Sequence, residues 1–230
     1  MMKSVAIRSV RVIDGTGRTL ERATVVIRGT TIAAVGSDRD LSIPRGATKI
    51  DGRGLTLLPG LIDCHVHLCL GAEPDVVDAI AKETPSLTLL KSSRSAQQTL
   101  EAGFTTVRDV GSRDHSIFAL QQAIDAGLVP GPRIIAAGLA ICMIGGHARF
   151  IGQEVEGAEQ VRSVVRAQIA AGAAVIKVIA SGGVLTPGTS PDQAQMTVEE
   201  LRAAVEEAQR AGRKVAAHAH GSSGMKNAVR

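Results

Sequence analysis

Up to about residue 58 the apolar positions come in short β-branched runs: VAIRSVRVID, ATVVIRG, TIAAVG and ATKIDGRGLTLL. Turn signals at Asp14-Gly15, Arg28-Gly29 and Asp51-Gly52 separate them. This patterning predicts a small β domain over residues 1–58, an antiparallel sheet of β-sandwich-like type. From Pro59 the rhythm changes, and short apolar strands alternate with helical stretches. LIDCHVHL precedes a helix within 76–102, and TTVRDV precedes one near 116–126. RIIAAG leads into a loop and a helix near 157–171, VIKVIA into a helix near 197–211, and KVAAHAHG into a last helix from about Ser222. Gly103, Gly127, Gly172 and Gly212 follow four of these helices as C-terminal stop signals.

Strand–helix repetition of this kind predicts parallel strands joined by right-handed crossovers, and so an α/β domain over residues 59–230. Five strands suit either an open doubly wound sheet or the first part of a closed (β/α)8 TIM-type barrel. An open nucleotide-binding sheet is served by a Gly-rich turn after its first strand, but here that strand ends in His-Val-His. SGGVLTPG, after the fourth strand, lacks the Lys-Ser/Thr of a phosphate loop. The expected fold is therefore a partial barrel, about five of eight strands, preceded by the small β domain.

Composition narrows the function. The 230 residues are 44% hydrophobic and 21% charged, a globular balance. Phe104, Phe118 and Phe150 are the only aromatic residues among Phe, Tyr and Trp, which argues against base stacking. A net charge of +4 with scattered Lys and Arg gives no nucleic-acid footprint. Cys64, Cys69 and Cys142 form no C-x-x-C pair, so neither a disulfide framework nor a zinc knuckle is indicated, and a reducing cytoplasmic location is expected. The charged start MMKSVAIRSVRVIDG does not read as a signal peptide. No run of 18 apolar residues predicts a membrane span.

The chemistry lies at the ends of the strands. Side chains two apart on a strand share a face, so Asp63, His65 and His67 point one way and Cys64, Val66 and Leu68 the other. Two imidazoles on one face, separated by under ~7 Å of rise, can hold one metal ion; the bland alternative is a pair of hydrogen-bonded core histidines. Lys177 sits between Val175, Ile176, Val178 and Ile179. Burial there favours the neutral amine, the form that reacts with carbon dioxide to give an anionic, carboxylate-like carbamate; the alternative is a lysine snorkelling at a strand end. KVAAHAHG repeats the opening pattern with His218 and His220. Three strand ends supplying His-x-His, Lys and His-x-His together favour a metal centre.

PGLIDCHVH, VIKVIASGG and VAAHAHG resemble motifs of the metal-dependent amidohydrolase superfamily, most closely its prolidase-like and imidazolonepropionase-like branch. The resemblance runs over the whole chain. It implies that His65 and His67 bind the more buried of two divalent ions, zinc foremost, that a carbamylated Lys177 bridges them, and that His218 binds the second. His147, in Gly145-Gly146-His147, matches a histidine that polarises the substrate carbonyl, its alternative being an exposed loop histidine. His220 matches a substrate contact. His115 has no match and is expected at the surface, and Asp109 is expected to orient its neighbours. The implied reaction is hydrolysis of an amide bond in a small molecule or dipeptide by metal-bridged hydroxide. SGGVLTPG tilts this toward dipeptides with a free C-terminal carboxylate.

The family pattern also includes a histidine after the sixth strand and an acid–base aspartate after the eighth. The expectation is therefore a chain that is incomplete and without substantial hydrolase turnover alone, a homo-oligomer or one needing a C-terminal portion. Alternative readings are a cyclic-amide hydrolase or deaminase of the same superfamily, or a non-catalytic metal-binding or assembly chain. Nucleic acid and membrane are not expected partners.

Overall fold

The computed structural model describes residues 4–230; the first three residues of the expected 1–58 domain, Lys3 among them, lie outside the described residues. The chain divides into two compact units, one running to Leu61 and the other Ile62–Arg230.

The first unit is one mixed sheet. Its strands are β1 (Ser4–Ile13), β2 (Thr19–Arg28), β3 (Thr31–Ser37), β4 (Thr48–Asp51) and β5 (Thr56–Leu57). The order is β3-β2-β1-β4, with β5 also on β1. The pairs β1–β2 and β2–β3 are antiparallel hairpin pairs, but β4 and β5 lie parallel to β1. The expected antiparallel sheet is thus corrected. After β3 the chain crosses over and rejoins beside β1, a return that hairpin turn signals do not encode. Val10, Val12, Ala23 and Val25 form the unit's buried cluster.

The second unit alternates strand and helix. It opens with β6 (Leu61–Val66), whose first residue is the boundary residue, followed by α1 (Val76–Lys82), α2 (Pro85–Glu101), β7 (Phe104–Asp109), α3 (Ser116–Asp125) and β8 (Arg133–Ala136). Then come β9 (Ala140–Met143), a 3-10 turn at Arg149–Ile151, β10 (Gly152–Val155), α4 (Gly157–Ala171) and β11 (Val175–Ile179). The last elements are α5 (Val198–Arg210), β12 (Lys214–His218) and α6 (Ser222–Val229). The expected helix within 76–102 is two helices, because Thr84 caps a new start and Pro85 takes its first position.

The strands pair as β6-β7-β8 and β10-β9-β11-β12. A hydrogen bond from the Ala174 amide to the Ala136 carbonyl, 2.9 Å, links the two sets. The third barrel strand is split: β8 pairs with β7, and β9 pairs in parallel with β11. Gly138 makes the break, with φ +73, and a Cβ there would lie 2.5 Å from the Gln168 amide oxygen. That oxygen accepts the Leu139 N–H at 3.1 Å, so the kink is pinned to α4. The result is five successive barrel strands, with β11 and β12 in parallel register.

The outer faces of these strands carry the core. Val107, Ile134, Ile176 and Val178 pack with helix residues such as Ile117, Val165 and Leu201 in one buried cluster. The neighbouring positions therefore face inward, Lys177 among them. β6 is not the buried strand its apolar sequence suggests. It lies at the end of its sheet, and Ile62 is 65% exposed. No helix among the described residues is long and apolar enough to cross a membrane.

α5 begins right after the long loop that follows β11, and a capping box fixes its start. The Thr197 hydroxyl accepts the Glu200 amide at 3.2 Å, and the Glu200 carboxylate accepts the Thr197 amide at 2.8 Å. Thr197→Ala is expected to cost about 1 kcal/mol, read as a lower urea midpoint with an unchanged slope; an unchanged midpoint would contradict this role.

Candidate metal centre

The C-terminal ends of the strands converge on one cavity of about 50 Å³, lined by His65, His67, His147, Lys177 and His218 together with apolar side chains including Phe150 and Leu185. His65 and His67 reach it from β6, their ring centres 5.2 Å apart and edge to face. Strand register pairs Lys177 with Ala216 and Ile179 with His218. Lys177 and His218 therefore share the inner face. His147 enters from the loop after β9 and lies 4.7 Å, ring to ring, from His218. It is only 6% exposed, which excludes the reading of a solvent-exposed loop histidine. His220 stacks on His218 at 4.8 Å and remains at the surface. His115 stays apart, exposed and bonded to Gln168 at 3.1 Å.

Backbone carbonyls fix the tautomers of two rings, since a carbonyl only accepts. His67 Nδ1–H donates to the Gly111 carbonyl at 2.9 Å, leaving its Nε2 lone pair free. His218 Nε2–H donates to the Gly182 carbonyl at 3.2 Å, leaving Nδ1 free. An imidazole held through one nitrogen by a carbonyl is the usual arrangement of a metal ligand.

Gly111 is in turn held by Asp109, a fully buried carboxylate. Asp109 accepts the Leu68 amide at 2.8 Å, the Gly111 amide at 3.3 Å and the Ser112 hydroxyl at 3.3 Å. It thereby ties the residue after His67 to the carbonyl that orients His67. Gly111 needs its identity: φ is +152, and a Cβ would lie 3.2 Å from the His67 ring.

Burial dominates the electrostatics. It lowers His67 and His218 to about 4, so both are neutral donors across the physiological range. Burial likewise lowers His65 and His147. Lys177, 2% exposed, falls to about 8 through burial first and the nearby Arg108 cation second. Asp109 is pushed up to about 7 by burial, against the three donors that hold it down.

Among the described residues no three His, Cys, Asp or Glu side chains converge tightly enough to chelate an ion by themselves. The donors on the cavity are nitrogens: four imidazoles, His65, His67, His147 and His218, and one amine. That set suits a borderline divalent ion such as zinc and is short of oxygen ligands. A carbamate on Lys177 would supply those oxygens from the same inner face, so the residues present fit the group.

Several residues around the site were not singled out from sequence. Thr186 and Gln195 hold His147, the Ser181 hydroxyl accepts the His220 amide at 2.9 Å, and Arg108 spans to the Cys64 carbonyl at 2.8 Å. The one available signal was the Gly- and Pro-rich composition of SGGVLTPG, which marks an ordered loop over the strand ends.

Five successive barrel strands with nitrogen donors gathered at their C-terminal ends form part of a (β/α)8-type barrel, and the candidate site lies on the face such barrels use. Residues 56–230 match the amidohydrolase family, and the chain belongs to that family. It is 32% identical to an ochratoxinase of Aspergillus niger over 249 residues, 95% of this chain and 50% of that protein. It is 30% identical to an imidazolonepropionase of Alkaliphilus metalliredigens over 115 residues, 38% of this chain and 27% of that one. The crystal structure of a Xaa-Pro dipeptidase with bound methionine in the active site superposes with a TM-score of 0.89 at 34% identity, covering 99% of this chain and 59% of that one. The chain thus spans about half the length of the ochratoxinase.

Lys177 gives a pH test. Its folded-state value of about 8 lies below the ordinary 10.5, so between these values the unfolded chain binds more protons and stability rises with pH. Below pH 8 the full cost, roughly 3 kcal/mol, is present. Lys177→Met, free of metal and carbon dioxide, is expected to exceed the wild type in stability at pH 7 by this order, the gap closing toward pH 10.5. Denaturant unfolding across that range checks it; a pH-independent gap would contradict the burial argument.

Proposed function

We propose that this chain forms the first five barrel strands of a divalent-metal-dependent hydrolase that cleaves amide C–N bonds in small substrates. The observation that carries the reading is the gathering of His65, His67, Lys177, His218 and His147 around one cavity. His65, His67 and His218 would hold the metal through neutral nitrogens, and Lys177, as its carbamate, would bridge two ions. Bound divalent ions supply hydroxide at neutral pH and polarise a carbonyl oxygen. His147 meets the carbonyl oxygen of the substrate from the side of the β9 loop. His220, exposed beside His218, contacts the part of the substrate nearest the rim. Leu185 and Phe150 give the cavity an apolar wall that excludes water from the reacting centre.

The substrate we favour is a dipeptide with a free C-terminal carboxylate, supported by the resemblance to the Xaa-Pro dipeptidase structure. A cyclic-amide hydrolase is the second reading, favoured by the stretch similar to imidazolonepropionase. Lys177 weighs against a mononuclear deaminase, since a bridging carbamate serves a two-metal site. β6 and β12 each stand at the end of their sheet; such free edges are a liability, and we propose that further strands cover them in the active protein, from the same polypeptide or another copy.

The test is release of free amino acid from a panel of dipeptides, with and without added zinc. The 230-residue chain alone is compared with a protein that also carries the remaining barrel strands. Zinc-dependent turnover is expected from the complete barrel, falling more than ~100-fold in His67→Ala. A complete, metal-loaded barrel that hydrolyses no dipeptide or cyclic amide would contradict the reading and favour a metal-binding chain without catalysis.

A further inference from the structure

The loop after β11 closes on itself and then on His147. Its two ends are bridged at Ser181 and Ala194, and the Gly182 amide donates to the Gln193 carbonyl at 2.9 Å. From this lobe Thr186, 2% exposed, reaches the β9 loop. Its hydroxyl oxygen lies 3.0 Å from His147 Nδ1 and accepts the Ala148 amide at 3.1 Å. Gln195 accepts the His147 amide at 2.8 Å. The backbone so held is strained: Ala148 is a non-glycine residue at φ +61.

The proton on this hydroxyl has one place to go. Of the two groups bonded to Thr186 Oγ1, the Ala148 amide only donates, so the sole acceptor there is His147 Nδ1. The opposite assignment, Nδ1–H donating to the hydroxyl, would strand a buried hydroxyl proton without a partner. With Nδ1 accepting, a neutral ring carries its proton on Nε2. Gly183 packs against this end of the ring, where a Cβ would lie 2.4 Å from Nε2.

We propose that the Thr186 hydroxyl donates to Nδ1 of His147 and so holds the imidazole in its Nε2–H tautomer, a hydrogen-bond donor kept ready for a carbonyl oxygen in the cavity. The inference deepens the proposed function and rests on its reading of His147 as the group that meets the substrate carbonyl. Thr186 is then a positioning residue, acting through His147, and the β11 loop becomes the element that arms this histidine. A carbonyl, an acceptor only, is the substrate group that suits this tautomer.

Two-bond proton–nitrogen spectra of the 15N-labelled full chain, at a pH where the ring is neutral, read the tautomer directly. His147→Asn identifies the signals, and thermal unfolding shows that each variant is folded. The wild type is expected to show a pyridine-like Nδ1 and a pyrrole-like Nε2. Thr186→Val is expected to move both nitrogens toward the averaged positions of mixed tautomers, and Thr186→Ser to restore the wild-type pattern. A pyrrole-like Nδ1 in the wild type would overturn the proposal, as would an unchanged ring spectrum in folded Thr186→Val. Should the valine variant not fold, the wild-type spectrum alone decides. The reading needs no substrate, so failure of hydrolysis would count against the proposed function while the tautomer is still decided.

Discussion

The second unit is organised around an amine whose charge is costly where the fold puts it. Lys177 lies in the fourth barrel strand with Ile176 and Val178 turned outward into the helix-facing core. Its own side chain turns inward, 2% exposed. No carboxylate pairs with it among the described residues. Its charged neighbour is Arg108, which disfavours the ammonium further. An uncompensated buried cation is a large cost. The neutral amine, which burial favours, is the form the proposed carbamate would be made from.

Those histidines are useful only if their rings are aimed, and the aiming is done by groups that never enter the cavity. Asp109 collects three donors and holds the carbonyl that orients His67. Gly182 does the same for His218, and Ser181 anchors the His220 backbone. Thr186 and Gln195 hold His147. Buried hydrogen bonds of this kind are costly to leave half-made, so the rings lose freedom together. The five strand ends and the β11 loop behave as one positioning frame.

Much of this was legible in the chain because strands have a period of two. His-x-His at the end of β6, His218 at the end of β12, and a lone Lys amid Val and Ile in β11 could be placed on one inner face without coordinates, whereas His220 stays at the surface. What escaped depends on contacts between distant residues. Thr186 lies 39 positions from the ring it holds, and Gln195 lies 48 from the amide it accepts; neither carries a local signal beyond a Gly- and Pro-rich loop. The same holds for the split third strand, whose kink needs Gln168 from α4. The parallel return of β4 beside β1 was also hidden, because local turn chemistry reports hairpins and not crossovers. The break between α1 and α2 was different: Thr84-Pro85 is a local signal that outranks the apolar rhythm.

The amidohydrolase family, the inner-face lysine and the neutral imidazoles beside it support the proposed carbamate at Lys177. Incubating the chain with zinc and 13C-labelled bicarbonate, then recording its carbon spectrum, tests that proposal most directly. The account predicts a stable carbamate carbon signal in the wild type that disappears in Lys177→Arg. A zinc-loaded wild-type chain without that signal would contradict it.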